Sequence, residues 1–379
     1  MRILVLSAYH AASHDYWLQG LQAHLPQIQW RVLTMPPRYF NWRIRGNPLS
    51  WFSEQRHLLD DPVDLVIATS TVDIATLRGL VPALRNIPWV AYFHENQFAY
   101  PPSPQGSRQQ QIEPQMVNLY AALAADQLWF NSRYNLDTLI AGCEALCRKL
   151  PDQVPENGWF ECLRQKSRVL PVPLRALDSV AGREEEVAPE QPLRLVWNHR
   201  WEYDKGVAQL EALVTALERG RQLVELTLLG QRFRTLPEEM KRLLAKPGNG
   251  YVRVVDTGYV ADRAEYLAEL GRQQVVLSTT LHDFQGLAVM EAVQAGCVPL
   301  LPDRLCYPEF FADAYLYPSR PGLPADEAMA VVARLSSWRR DGLPPCPSLA
   351  SLAWDRLATD YQRAIDDAVS NILPREPVS

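Results

Sequence analysis

An α/β protein of two Rossmann-like parallel-sheet domains facing across a cleft is the fold class this sequence predicts, on three observations. The chain has 379 residues, room for two α/β cores. Short runs rich in Val, Ile and Leu alternate with helix-length stretches, first from residue 2 to about 174 and again from about 193 to 301. Between the two series, Leu177 to Gln191 carries Glu184, Glu185 and Glu186 in a row next to prolines, which reads as an acidic linker. The expected division is residues 1–178, a linker at 179–191, a second domain at 192–347, and a terminal helix and tail at 348–379 crossing back to the first domain.

Composition narrows the class. Apolar content of 47% and charged content of 21% are ordinary for a soluble globular protein. No apolar run approaches the roughly 18 residues of a membrane span, and Met1 to Leu6 is too brief for a signal-peptide core. A cytoplasmic protein without a membrane partner is expected, with its six scattered cysteines reduced; Cys143 and Cys147 lie a helical turn apart but lack the partners of a zinc site. A net charge of −5 argues against broad coating of nucleic acid, though not against a local basic patch. There is no Gly-x-Gly-x-x-Gly or Walker glycine pattern, which disfavours a dinucleotide dehydrogenase or a P-loop enzyme. No metal site and no obligate protein partner are expected.

In the first domain, Arg2 to Ser7 is a strand. A helix from about Asp15 to His24 follows, with Ser13 as a possible cap and His14 as a candidate to face the cleft. From Pro36 to Phe52, Arg38, Arg43 and Arg45 alternate with Tyr39, Phe40, Trp42, Trp51 and Phe52 in no helix or strand period. Guanidinium forks and aromatic faces suit phosphates and unstacked bases; the alternative is a loop packed on the core with solvated arginines. Asp64 to Ser70 and Trp89 to Phe93 are strands, the second running into His94-Glu95-Asn96-Gln97. Phe98 stands where a zinc-protease motif needs its second His, so the metal reading fails, and His94 lies where open α/β sheets bind ligands. Pro101 to Gln111 reads as a mobile loop. Gln127 to Ser132 is a strand ending in Asn131, a helix starts at Arg133, and Arg168 to Leu174 closes the domain.

In the second domain, strands are expected at Leu193–Trp197, Val224–Leu229, Val252–Val255, Val275–Ser278 and Val298–Leu301, with a tail helix from Ser348 to about Ile372. After the first of these strands, Asn198-His199-Arg200 leads to Lys205-Gly206 and a helix from about Val207. Arg200 and Lys205 are able to neutralise a diphosphate; the bland alternative is a surface pair with Lys205 balanced by Asp204. After the fourth strand come His282-Asp283-Phe284-Gln285-Gly286-Leu287, a helix holding Glu291 seven intervening residues beyond Asp283, and Gly296 as its closing residue. The free N–H groups at Gly286 and Leu287 form an anion site, with Glu291 in reach of ribose hydroxyls; an ordinary βαβ turn is the alternative.

The Asp283–Glu291 spacing around Gly286 resembles the signature of the retaining, family-four GT-B glycosyltransferases, which implies GT-B architecture. Arg200 to Gly206 resembles their Arg…Lys-Gly element, and Gly230, Gln231, Gly258 and Tyr259 match positions lining the nucleotide pocket there. Asp283 stands where that family usually has Glu. Ala12-Ser13-His14, Trp42-Arg43-Ile44-Arg45, Phe93 to Gln97, Trp197 to Lys205 and Tyr307-Pro308-Glu309 resemble, over nearly the whole chain, the tRNA-queuosine α-mannosyltransferase family. That resemblance implies transfer of mannose from GDP-mannose to queuosine at the anticodon wobble position of aspartate tRNA, with retention, without metal and without a cofactor beyond the donor. It implies Arg200, Lys205, Asp283, Glu291 and His94 as the catalytic set. Asn198, Gly230, Gln231, Gly258, Tyr259, Phe284, Gly286, Leu287 and Glu291 would hold the donor. Ser13, His14, Arg38, Trp42, Arg43, Arg45, Asn96 and Asn131 would hold the tRNA. A lipid, glycan or small-metabolite acceptor, or a non-catalytic nucleotide-sugar or RNA-binding protein, remain the competing readings.

Overall fold

The structure, a computed structural model, describes residues 1–101, 108–151, 158–177, 190–232, 235–245 and 250–370, except for the side chains of 108–111. The chain divides into two compact units, residues 1–175 with 352–379, and residues 176–351.

The first unit is built on a six-stranded parallel sheet of β1 (Arg2–Ser7), β2 (Gln29–Thr34), β3 (Leu65–Thr69), β4 (Trp89–Phe93), β5 (Gln127–Phe130) and β6 (Ser167–Val169), in the order β2-β1-β3-β4-β5-β6. β3 and β4 are buried at every residue, as strands covered by helices on both faces must be. The helices are α1 (Ala12–His24), α2 (Phe40–Glu54), α3 (Arg56–Asp60), α4 (Ile74–Leu80), α5 (Arg108–Ala124), α6 (Arg133–Cys147) and α7 (Trp159–Gln165).

The second unit carries β7 (Leu193–Asn198), β8 (Val224–Leu229), β9 (Val252–Gly258), β10 (Val275–Leu277), β11 (Val298–Pro302) and β12 (Leu316–Tyr317), again all parallel. The order is β12-β11-β10-β7-β8-β9, so the winding reverses between β7 and β10. Ligands of open α/β sheets bind above the strand ends at such a reversal. Its helices are α8 (Val207–Arg219), α9 (Glu238–Leu244), α10 (Arg263–Gly271), α11 (Leu287–Gln294), α12 (Tyr307–Phe310) and α13 (Pro324–Asp341). A last helix, α14 (Trp354–Ser370), belongs to the first unit and lies against α1. There the Trp354 ring stacks on His24 at 4.7 Å, and the Trp17 indole N–H donates to Tyr361 at 3.1 Å. An ideal Cβ on Gly20 would sit 2.0 Å from the Trp354 ring, so only glycine admits this indole.

The two-sheet α/β prediction is borne out; several local readings are not. Only Pro36 to Tyr39 of the arginine–aromatic segment are irregular, and from Phe40 onward it is a helix. Pro48 hid it, because a proline leaves the carbonyl four residues back without its N–H. Asn47 repairs the gap: its amide donates to Ile44 O at 3.2 Å and to Arg43 O at 2.7 Å. Ser13 is not a cap; α1 starts at Ala12 behind Ala11, whose side chain has no capping group. Of the expected loop at 101–111, residues 108–111 already belong to α5, and 102–107 lie outside the described residues, as does most of the acidic linker. The closing strand of the first unit shrinks to Ser167–Val169, after which Leu174 pairs singly with Ala353. The tail helix begins at Trp354 rather than Ser348, after a short 3-10 turn at Ala350–Leu352.

Candidate active site

The winding reversal of the second unit brings together what the sequence separates. Asn198 ends β7 and His199 and Arg200 follow it; Ser278 to Asp283 follow β10, the neighbouring strand. The two loops are laced by Leu281 N–H donating to Asp204 O at 2.8 Å, and by the Thr279 hydroxyl donating to Lys205 O at 3.0 Å. Gly206 and Gly230 are forced: both have positive φ, and an added Cβ would sit 1.9 Å from Thr279 O and from His199 O respectively. Gly286 also has positive φ, +77°, and opens α11, leaving the first N–H groups of that helix directed beyond the strand ends.

Lys205 lies inside this edge. Its ammonium donates to His282 O at 2.7 Å and pairs with buried Asp204 at 3.1 Å. Arg200 is half-exposed and pairs with Glu202 at 3.2 Å. Both cations therefore have acidic neighbours, the balance that the bland reading anticipated for Lys205.

Asp283 Oδ1 accepts the backbone N–H groups of Phe284 and Gly286, each at 3.1 Å, and its Oδ2 accepts from the Tyr307 hydroxyl at 3.4 Å. Burial pushes this carboxyl's pKa up, but Lys205, His199, His282 and the Gly286 N–H outweigh it, and the net shift is downward. His199 is driven the other way, to about 4, by burial first and then by Lys205. It is neutral near pH 7, and its Nε2 lies 3.0 Å from the Ser278 hydroxyl.

On α11, Glu291 pairs with Arg263 at 2.8 Å and accepts from the Tyr266 hydroxyl at 3.1 Å. Asn198 in turn donates to Tyr266 at 2.7 Å and to Ala288 O at 3.0 Å, tying the end of β7 to α11. Phe284 is buried and Leu287 partly so, Gln231 and Tyr259 are exposed, and Gly230 N–H donates to Gly258 O at 2.8 Å. Arg200, Lys205, Asp283, Gly286 and Glu291 thus share one edge of one sheet. Arg263, Tyr266, Ser278 and Tyr307 were absent from the residues singled out; Tyr307 had a signal in the Tyr-Pro-Glu element, the others none.

In the first unit, His94 follows β4 and is packed by rings: His14 at 4.2 Å, Tyr92 at 4.5 Å and Trp17 at 4.9 Å. Burial lowers the pKa of both histidines, His14 to about 3. His14, the candidate offered beside the Ser13 cap, is buried and packs on His94 within the first unit. Asn131 and Asn96 are buried and hydrogen-bonded within the first unit. Asn131 donates to His94 O at 2.9 Å, while Asn96 donates to Asn135 and Thr138 and accepts from the N–H groups of Phe98 and Ala99.

The three arginines of α2 and its approach differ. Arg45 pairs with Asp73 at 2.6 Å and Glu113 at 3.3 Å, and Arg43 donates to the Met35 sulfur at 3.3 Å. Arg38 lies over the Tyr39 ring at 5.6 Å. Trp42, Leu49 and Phe52 are exposed along one face of α2, and Arg56 covers the Phe52 ring at 4.7 Å.

Comparison with known proteins shows which proteins the chain resembles. Residues 2–174 match the model of the tRNA-queuosine alpha-mannosyltransferase N-terminal domain, and residues 161–304 match that of a family 4 glycosyltransferase of conflict systems. A tRNA-queuosine alpha-mannosyltransferase of Drosophila melanogaster is 29% identical over 321 residues, 83% of each chain. The chain is similar over most of its length to tRNA-queuosine alpha-mannosyltransferases. The resemblance read from the sequence motifs is borne out. Solved structures add the fold. The Anabaena protein HepE in complex with UDP has a TM-score of 0.64 at 14% identity, covering 97% of this chain and 100% of its own. The N-terminal domain of Candida albicans trehalose-6-phosphate phosphatase gives 0.67 at 14%, covering 98% and 97%. These likenesses and the two parallel sheets agree on a GT-B fold. Among the described residues no helix is long and apolar enough to cross a membrane.

Proposed function

We propose that this protein is a glycosyltransferase that moves mannose from GDP-mannose to queuosine in the anticodon loop of aspartate tRNA, with retention and with protein cations in place of a metal. The observation that carries the reading is the gathering of Lys205, Arg200, the α11 tip at Gly286 and Glu291 above the β7–β10 reversal. Departure of a nucleoside diphosphate builds charge on its β-phosphate. Lys205, Arg200 and the α11 N–H groups stabilise it, and preorganised donors of this kind are the largest usual catalytic term. Glu291, steadied by Tyr266 and Arg263, takes the ribose hydroxyls, and Asp283 takes hydroxyls of the sugar. His94 and the α2 face serve the acceptor. The family domain in residues 2–174 supports a tRNA acceptor, and the nucleotide held by HepE supports a nucleotide-sugar donor.

The test is incubation with queuosine-containing tRNA and a panel of nucleotide sugars, followed by mass analysis of the released nucleosides. A hexose gained by queuosine, with GDP-mannose as the preferred donor, is the expected result. No gain with any donor overturns the reading, and hexose transfer to a lipid or glycan instead moves the acceptor class.

A further inference from the structure

The second unit contains a chain of side-chain hydrogen bonds that the reading above leaves unused. It runs from His199 Nε2 to Ser278 Oγ at 3.0 Å, from Ser278 Oγ to Tyr307 Oη at 2.9 Å, and from Tyr307 Oη to Asp283 Oδ2 at 3.4 Å. His199, Ser278 and Tyr307 are all buried, and Ser278 and Tyr307 are fully enclosed. Each hydroxyl has one proton to give. The far end therefore sets the direction of the whole chain.

An ionised carboxylate only accepts. Asp283 is held in that form by its cationic and N–H neighbours. The Tyr307 proton must then point at Asp283, so the phenol oxygen is left to accept from Ser278. Ser278, having donated to Tyr307, accepts from His199 Nε2–H; its oxygen also accepts the Thr280 N–H at 3.3 Å. His199 is neutral near pH 7, so a proton on Nε2 leaves Nδ1 bare. One arrangement of protons satisfies every contact.

The geometry also fixes the carboxylate in space. Oδ1 is occupied by two backbone N–H groups, from Phe284 and Gly286. Oδ2 takes the Tyr307 proton on one lone pair and keeps the other for a ligand hydroxyl. The Tyr307 ring is itself locked: its Cε1 would lie 2.9 Å from a Cβ on Gly286, a position that only glycine leaves open.

We infer that Tyr307 is a positioning residue for Asp283, terminating a proton-ordered chain from His199 through Ser278 that aims one oxygen lone pair of Asp283 at a hydroxyl of the bound sugar. The inference rests on the proposed role of Asp283 toward the donor sugar, and its first test is independent of that role.

Nitrogen-15 spectra of the histidine side chains read the tautomer of His199 directly, assigned by loss of its signals in His199→Gln. The expected result is a single Nε2–H tautomer in the intact protein, giving way to a mixture in Ser278→Ala. An Nδ1–H tautomer in the intact protein overturns the inference whether or not any sugar is transferred.

The second test is kinetic. Tyr307→Phe keeps the ring and removes only the oxygen. It is expected to lower turnover about tenfold while the Kd for GDP changes less than twofold, and to relax the preference among donor sugars. Unchanged turnover and unchanged sugar preference in Tyr307→Phe overturn it. If the wild-type protein transfers no sugar at all, the functional reading fails and the tautomer measurement still decides the proton order.

Discussion

The hydroxyl of Tyr266 donates to Glu291 at 3.1 Å while Asn198 donates to the same hydroxyl at 2.7 Å, so the last residue of β7 steers a carboxylate on α11. Tyr266→Phe removes the middle of that link. We expect Glu291→Gln to weaken GDP binding about tenfold and Tyr266→Phe to weaken it less, since Arg263 still holds the carboxylate. Titration calorimetry with GDP measures both. Equal affinities in all three proteins would remove Glu291 from the nucleotide site.

The proposed function gives Lys205 two tasks that separate experimentally. Lys205→Ala strips the partner from Asp204, which is 1% exposed, and an unpaired buried charge costs about 3–5 kcal/mol. It also removes a cation from the leaving group, worth roughly 100- to 1000-fold in rate. Lys205→Met combined with Asp204→Asn is expected to recover Tm and not turnover. Recovery of both would make the lysine structural.

The face of α2 predicts an uneven response to substitution. Arg45→Ala breaks the pair with Asp73, the residue that caps α4 through Thr76 N–H, so Tm should fall. Trp42 is exposed, and Trp42→Ala should leave stability within about 0.5 kcal/mol while weakening tRNA binding by about 1–3 kcal/mol through lost stacking. Binding measured at two salt concentrations separates the two: loss of Trp42 should shift affinity without altering the salt slope, since no charge is lost.

Acid should loosen the fold through its buried histidines. The folded-state pKa values of His14, about 3, and His199, about 4, lie below the ordinary 6.5. The unfolded chain therefore binds more protons, and stability falls as pH drops below about 6.5. At pH 5 each contributes a loss of about 2 kcal/mol. Denaturant melts of wild type and His14→Phe at pH 7 and pH 5 check this; the variant should lose less between the two.

Gly230→Ala is expected to cost at least about 3 kcal/mol, because the new Cβ would meet the His199 carbonyl at 1.9 Å with φ at +135°. Circular dichroism melts should show the loss, and GDP binding should weaken with it.

Most strands were legible as short apolar runs, and the strand-end residues followed: Asn198, Gly230 and Gly258 end or follow β7, β8 and β9. The edge strands β2, with its polar Gln29 and Arg31, and β12, only two residues long, were not. Helix α2 was not, because the residue that rescues it, Asn47, does so through a side-chain bond that leaves no periodic trace. The partners of the site were also hidden. Tyr266 precedes Glu291 by 25 residues and Ser278 precedes Tyr307 by 29; only the winding of the sheet makes them neighbours. Which strands sit side by side is a long-range property, and β7 beside β10 is what assembles the edge.

Helix α14 closes the surface of α1 from the far side of the sequence, with Trp354 seated on Gly20 and Tyr361 bonded to Trp17 and Tyr92. During synthesis, every residue of the second unit must leave the ribosome before that cover arrives. The nascent first unit would meanwhile show an aromatic wound, sticky to chaperones. A nonsense codon anywhere in the second unit would leave it open for good, so even a frame break far downstream would be expected to yield an aggregating fragment.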